Sequence, residues 1–240
     1  MQTNNIVLSV ITVCYNAECE IESTIKSIIP FVNESVEYII IDGKSIDGTL
    51  GIIHRYRAYI SNCVSEPDKG IYDAMNKGIN CAKGRWILFI NDGDLLLRIP
   101  SALFDKTNWS YDAIACSVLS ENKRVLSPNY NKCIMIHNTI PHQGLFYNKF
   151  ITIPQFDISY KIYSDYDYNL YMYKNGKNIL IENEVVAFHS LLGISNDKKN
   201  AEELFTIIIN RNGYICALLS KIYFGFKGLK CKLWKYLKID

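Results

Sequence analysis

The first 95 residues alternate between short runs dense in β-branched side chains and stretches with helical spacing, and each run ends on small polar or acidic residues. This alternation constrains the fold more than any other feature. Ile-Val-Leu-Ser-Val-Ile-Thr-Val-Cys at 6–14 is a continuous apolar run of the kind buried on both faces of a parallel sheet. A turn at Tyr15-Asn16-Ala17 leads into 18–31, where Ile21, Ile25, Ile28 and Ile29 recur at helical spacing. Further strands are predicted at 37–41, about 59–64 and 86–90, with helices at 49–57 and about 71–82. The pattern implies an α/β protein with a parallel open sheet. Ligands of such sheets bind beyond the carboxyl ends of the strands. Here those ends carry Tyr15 and Asn16, then Asp42, then the 66–69 segment, then Asp92 and Asp94, so three of the four offer carboxylates.

Beyond residue 100 the pattern loosens. Strands are expected at 112–119, 143–147 and 179–187, and helices at about 164–174 and 198–211, with no repeat and no linker before about 213. The chain is long enough for one domain with an appendage. With 26 basic and 24 acidic residues it is no polybasic nucleic-acid binder, and no nucleic-acid partner is expected. The small total conceals an asymmetry. Residues 214–240 hold six lysines and one aspartate, a local +5, which leaves the body at −3.

Eight scattered cysteines without a C-x-x-C pair, and a start without a signal-peptide pattern, suggest reduced thiols and a cytoplasmic location. No apolar run approaches the roughly 20 residues of a membrane span.

G-x-G-x-x-G after the first strand, the P-loop pattern, G-x-S-x-G and H-E-x-x-H are all absent, which removes dinucleotide, P-loop, serine-hydrolase and zincin readings. What stands out is Asp92-Gly93-Asp94 directly after a buried strand. Glycine permits a tight turn, so two carboxylates can converge on one hard cation whose remaining sites take water and phosphate oxygens. That chemistry suits a nucleotide diphosphate as leaving group.

Four ordered blocks, Ser9–Asn16, Ile41–Thr49, Ser65–Gly78 and Gly84–Asp94, closely resemble family 2 glycosyltransferases. Within that family the chain looks like small bacterial enzymes of O-antigen, capsule and colanic-acid assembly. The resemblance implies a GT-A type fold and a glycosyltransferase domain over 1–213. Of this, about 1–98 would bind the nucleotide-sugar and about 99–213 would form the acceptor and catalytic half, with 214–240 a helical tail. It further implies that Tyr15 stacks on the base with backbone contact at Val13, and that Asp42 bonds the base. Asp68, Lys69 and Gly70 would lie against the nucleoside, Asp92 and Gly93 against the donor. Asp92 and Asp94 would hold Mn²⁺ or Mg²⁺ on the diphosphate. His189 corresponds to a C-terminal histidine that ligates the metal in related folds, and His142, Gln143 and Gly144 to a segment near the donor sugar and acceptor.

Inverting transfer needs a base for the acceptor hydroxyl. Tyr163-Ser-Asp-Tyr-Asp-Tyr168 resembles the family's acidic segment before a helix. Ser164 and Asp167 have capping-box-like spacing, which marks Asp167 as structural. Asp165 lies about 200° away around the helix and is expected to be the base. The Q-x-x-R-W motif of processive synthases is missing, which favours a single addition. UDP-sugar is the preferred donor, a GDP-sugar (mannosyl or fucosyl) the alternative, and a lipid-linked saccharide the implied acceptor. A nucleotidyltransferase would need a basic glycine-rich loop where Cys14–Ala17 stands, and a non-catalytic binding protein would not need Asp92, Asp94 and Asp165 together.

In the tail, Ile215, Leu218, Leu219, Ile222, Phe226, Leu229, Leu233 and Leu237 form one helical stripe, roughly 100° wide, with every lysine outside it. This is the composition of a helix that lies on an anionic membrane surface, here the inner face of the cytoplasmic membrane. Docking on the body is the alternative, and Gly225 and Gly228 each weaken a continuous helix by about 1 kcal/mol.

Overall fold

The computed structural model describes residues 6–151, 155–190 and 201–236, with side chains for all but 201 and 227–236. Its centre is β1 (Leu8–Cys14), which pairs in parallel with β2 (Val36–Asp42) on one side and β4 (Trp86–Phe89) on the other. Parallel β3 (Asn62–Ser65) adds to the far edge of β2. All seven residues of β1 and of β2 are buried, which is why these segments read as unbroken apolar runs rather than alternating ones. Along β1 the pleat sends Ile11 and Val13 to one core and Leu8, Val10 and Cys14 to the other. The first core is covered by α3 (Ile71–Cys81), the second by α1 (Ile21–Ile28) and α2 (Thr49–Arg55).

The second half of the chain extends the same sheet. It supplies β6 (Ala113–Ser120), a short β7 (Val125–Leu126), β8 (Leu145–Asn148) and β9 (Ile179–His189), while β5 (Leu95–Leu96) lies just after β4. The strand order is β3-β2-β1-β4-β8-β6-β9-β5, with β7 paired to β6. Here the sheet becomes mixed: β8 runs antiparallel to both β4 and β6, whereas β6 and β9 are parallel. Helices α4 (Ser164–Lys174) and α5 (Ala201–Asn212) follow, and α6 (Tyr214–Tyr236) closes the described chain. Gly213, with φ of 82°, makes the turn between α5 and α6, a conformation that favours glycine. The helix α6 continues through both Gly225 and Gly228.

Elements begin and end where local chemistry dictates. The expected helix over 18–31 starts only at Ile21, because Glu20 and Ile21 both donate to the Ala17 carbonyl in a preceding turn, and Pro30 tightens its end into a 3₁₀ turn. The strand expected from 59 starts at Asn62, because Arg57–Tyr59 forms another 3₁₀ turn. Residues 198–200, at the start of the expected helix over 198–211, lie outside the described residues.

One polar anchor sits inside the parallel layer. Glu37 on β2 is 4% exposed, and its Oε1 accepts from Ser9 Oγ (2.6 Å), Lys83 N (2.6 Å) and Gly84 N (3.3 Å). A Cβ at Gly84 would stand 2.6 Å from Ser9 N, so glycine is needed for this approach of α3's exit to β1. Glu37→Ala is expected to cost about 2–4 kcal/mol in urea unfolding, because it strips the acceptor from two backbone N–H groups and a hydroxyl. A loss under about 0.5 kcal/mol would show that the anchor contributes little.

Candidate active site

The order β3-β2-β1-β4 places the direction switch of the sheet at β1, and the loops after these strands gather at one edge. Hydrogen bonds stitch the loops after β1 and β2 together. Asn16 N donates to Ser45 Oγ, Ile46 N to Asn16 Oδ1, Ala17 N to Thr49 Oγ1 and Gly48 N to Glu18 Oε2. Asn16, with φ of 50°, and Lys44, with φ of 66°, take left-handed conformations at this junction. Tyr15 is thereby left 60% exposed at the rim. A Cβ at Gly43 would lie 3.3 Å from the Tyr15 ring and 2.5 Å from Asp68 Oδ2, so Tyr15, Gly43 and Asp68 form one cluster.

Asp42 sits beneath that cluster, fully buried. Its Oδ2 accepts from Ser45 N (3.0 Å) and Ser65 Oγ (2.6 Å), and its Oδ1 from Ser45 Oγ (2.5 Å). Both oxygens are engaged by the protein, and the carboxylate joins the ends of β2 and β3. Val13 is likewise buried within β1. Asp68 Oδ1 accepts from Gly70 N and Asp73 Oδ2 from Lys69 N, which shapes the entry to α3, where Gly70 takes a φ of 123°.

The Asp92-Gly93-Asp94 turn follows β4, with Gly93 at φ of 86° and Asp94 N bonded to Asn91 O. Thr24 of α1 fixes it by accepting from Gly93 N and donating to Asp94 O. Asp94 is buried, and its carboxylate receives Gln143 Nε2 (2.9 Å), His189 Nδ1 (2.9 Å) and Ser190 N (3.0 Å). Asp92 has no such set of donors. Burial, together with the neighbouring Asp94 and Glu20 carboxylates, pushes its pKa up to about 6. Asn91 Oδ1, one residue earlier, is buried with no protein partner.

These residues line a cavity of about 380 Å³ that also includes Glu20, Tyr72, His142, Lys161 and Asp165. Among the described residues, no three His, Cys, Asp or Glu side chains converge as a ready-made ion cage. His189 Nδ1 is turned onto Asp94 instead. The donor chemistry still fits a hard divalent cation: two carboxylates, one of them with its pKa raised by burial and by its acidic neighbours, an adjacent imidazole and an orphaned amide oxygen.

A second, larger groove of about 1160 Å³ adjoins the first, walled by residues of 125–141, by Leu204 and Phe205 of α5, and by Tyr223 and Phe224 of α6. His142, Gln143, Asp165 and His189 belong to both linings and stand on the shared wall. The His142 ring lies on Phe89 with centroids 5.4 Å apart, and both its nitrogens are buried without a protein partner. Burial lowers its pKa below the usual histidine range, which keeps it neutral. Gly144 is required beside it, because a Cβ there would meet Cys116 O at 2.4 Å.

Asp165, in the first turn of α4, accepts from Tyr72 Oη at 2.9 Å and from Asn138 Nδ2 at 3.4 Å. The segment that leads to it is clamped from α5. Both Glu203 carboxylate oxygens accept backbone N–H groups: Lys161 N on one, Ile162 N and Tyr163 N on the other, each at 2.8 Å. Arg211 forms a two-pronged bond with buried Asp167, at 2.7 and 2.6 Å. The capping-box expectation is therefore corrected. Tyr163 precedes α4 without a side-chain cap bond, Ser164 Oγ is buried and unpartnered, and Asp167 is fixed by Arg211.

Tyr72, Asn91, Glu203 and Arg211 escape the sequence reading. Tyr72 and Asn91 lie within the resembling blocks and carry a signal there. Glu203 and Arg211 act across about 40 residues of sequence and carry none. His137, assigned no role from sequence, lines the groove and packs on Tyr223 at 4.4 Å. The Asp92 shift has a measurable sign. A folded-state pKa above the unfolded value means that the metal-free protein loses stability as pH rises from about 4 to about 6. Asp92→Asn is expected to be neutral below pH 4 and to stabilise the metal-free protein by about 1–3 kcal/mol at pH 7.5, read by thermal melts at both pH values.

The family model described as "Glycosyl transferase family 2" matches residues 9–164. A PGL/p-HBAD biosynthesis glycosyltransferase of Mycobacterium bovis is 28% identical over 173 residues, 67% of this chain and 68% of that protein. The putative teichuronic acid biosynthesis glycosyltransferase TuaG of Bacillus subtilis is 36% identical over 90 residues, 36% of each chain. Among solved structures, S. aureus TarS superposes with a TM-score of 0.65 at 18% identity, over 86% of this chain and 40% of TarS. Glucosyl-3-phosphoglycerate synthase from Mycobacterium tuberculosis, solved with Mn²⁺, UDP and glucosyl-3-phosphoglycerate, gives 0.60 at 18% identity over 87% of this chain and 80% of that one. The fold is thus the GT-A type expected, and the family match spans well over half of the chain. The chain belongs to glycosyltransferase family 2 and is a glycosyltransferase.

Proposed function

We propose that the protein transfers a single sugar, with inversion, from a nucleotide-sugar to a lipid-linked saccharide in surface-polysaccharide assembly. The observation that carries this reading is the position of Asp165 on the wall between two cavities. One holds the Asp92–Asp94 turn, suited to a diphosphate, and the other is an open groove suited to an acceptor. Tyr15 and Asp68 form the outer platform for the nucleoside, with Lys69 and Gly70 beside it. Asp42 acts from beneath by fixing Ser45 and Ser65, or reaches the base after exchanging a serine for it.

Asp92 and Asp94 would hold Mn²⁺ or Mg²⁺, with His189 as a third donor once it leaves the Asp94 carboxylate. When bound, the ion neutralises charge on the departing diphosphate. The chain's own residues supply the remainder. Asp165, oriented by Tyr72, takes the proton from the acceptor hydroxyl as that oxygen attacks the anomeric carbon. Gln143 and neutral His142 stand on the shared wall where sugar hydroxyls would cross, and both His142 nitrogens are buried without a protein partner. Lys161 at the cavity adds positive charge near the leaving group.

Relatives support the donor class. S. aureus TarS has been solved with UDP-GlcNAc, and the mannosyltransferase PcManGT with GDP-Man and Mn²⁺. UDP-sugar remains the preferred donor. A thermal-shift panel of UDP- and GDP-sugars with Mn²⁺ should show stabilisation by one base series, and stabilisation by neither would overturn the donor assignment. Asp94→Ala should lower metal-dependent transfer by about 10³-fold or more, while undiminished activity in excess chelator would remove the ion from the mechanism. Asp165→Asn should keep donor binding within about threefold and lower turnover by about 10²–10⁴-fold, and an active variant would reassign the base.

A further inference from the structure

Helix α6 is docked on the body by its small side chains. Among its described side chains Ala217 and Ser220 are the buried ones, and Tyr223 and Phe224 beside them wall the groove next to Asp165. The large apolar residues point the other way: Ile215 is 77% exposed, Leu218 60%, Leu219 48%, Ile222 46% and Phe226 64%. At about 100° per residue these five fall within an arc of roughly 100°, centred about 150° from the buried edge. Docking on the body therefore does not account for the stripe. It is presented outward, and a contiguous apolar face of this kind marks an interaction surface.

The charge pattern selects its occupant. The segment 214–240 contains six lysines, and its only acid is Asp240. A two-fold pairing of this face with a second copy would set lysines against lysines with no carboxylate in the helix to meet them. An apolar stripe in a segment of net +5 fits a surface that is hydrophobic beneath and anionic above. No helix among the described residues is long and apolar enough to cross a membrane, so the contact is interfacial.

We propose that α6 lies in the interface of a bilayer containing anionic lipid, with the 215–226 stripe among the acyl chains and the lysines among the headgroups. The same helix supplies Tyr223 and Phe224 to the groove. On the acceptor reading above, on which this consequence alone rests, a saccharide whose lipid stays in the bilayer meets Asp165 without leaving the membrane surface.

The test uses the full chain and sedimentation with two kinds of vesicle, phosphatidylcholine alone and phosphatidylcholine with phosphatidylglycerol. Binding is expected to the second, about tenfold or more tighter than to the first, and to weaken with salt. Leu218→Asp with Ile222→Asp should lower it by about tenfold or more with an unchanged melting temperature, since both side chains are exposed. Replacement of Lys227, Lys230 and Lys232 by Gln tests the charge without touching the stripe, at roughly fivefold per lysine. Wild type that ignores anionic vesicles, or variants that bind equally, would overturn the proposal. So would a dimer in light scattering that the double variant dissolves, which would assign the stripe to a second copy. Donor binding by thermal shift in the same variants reads the catalytic proposal separately.

Discussion

The site depends on one buried carboxylate. Asp94 comes from the turn after β4, in the first half of the chain, and its side-chain bonds come from Gln143, His189 and Ser190, all in the second half. The sheet joins the halves at the same place, through the Trp86–Asn148 and Ile87–Tyr147 pairs of β4 with β8 and the Leu95–Phe188 and Leu96–Ala187 pairs of β5 with β9. In a low-dielectric setting the bonds to Asp94 are stronger than in water, and leaving any of these groups unpaired would cost more. The Asp94 set, with the β5–β9 pairing beside it, holds Gln143 and His189 next to the acids.

It also separates two acids that look equivalent in sequence. Asp94 is surrounded by donors from Gln143, His189 and Ser190. Asp92 is buried beside Asp94 and Glu20 and holds its proton up to about pH 6. Asp94 is bound into the fold, and Asp92 is the group that gains most from an added positive charge. In the proposed mechanism this makes Asp92 the responsive ligand and Asp94 the anchored one.

Much of this was legible beforehand, for identifiable reasons. The parallel strands β1, β2 and β4 were readable because both faces are buried, so each segment is a long apolar run that ends abruptly at the functional edge. The helix over 164–174 was read with its observed limits. The tail stripe follows from helical angles, and the base candidate from the resemblance of 163–168 together with those angles. What escaped was long-range. Nothing in the local pattern says that Glu203 will take the three N–H groups before α4, or that Asp167 belongs to Arg211 rather than to a cap. Asp42 looked like a recognition group, yet Ser45 and Ser65 occupy it in a way that no spacing rule reports. The strand expected at 143–147 is β8, but its antiparallel insertion between β4 and β6 is not legible, because pairing direction leaves little trace in a four-residue strand.

The clamps around Asp165 tie the chemistry to the tail. A base on a loop would wander, but the proposed base is held at a helix start by contacts from α3, through Tyr72, and from both ends of α5, through Glu203 and Arg211. Arg211 lies two residues before Gly213, where the chain turns into α6. The helix that fixes Asp165 is therefore continuous, through one glycine turn, with the helix that walls the groove and presents the apolar stripe. A pair of packed helices transmits position better than a flexible linker would. The packing of α5 on α6 sets the distance between Asp165 and the apolar stripe.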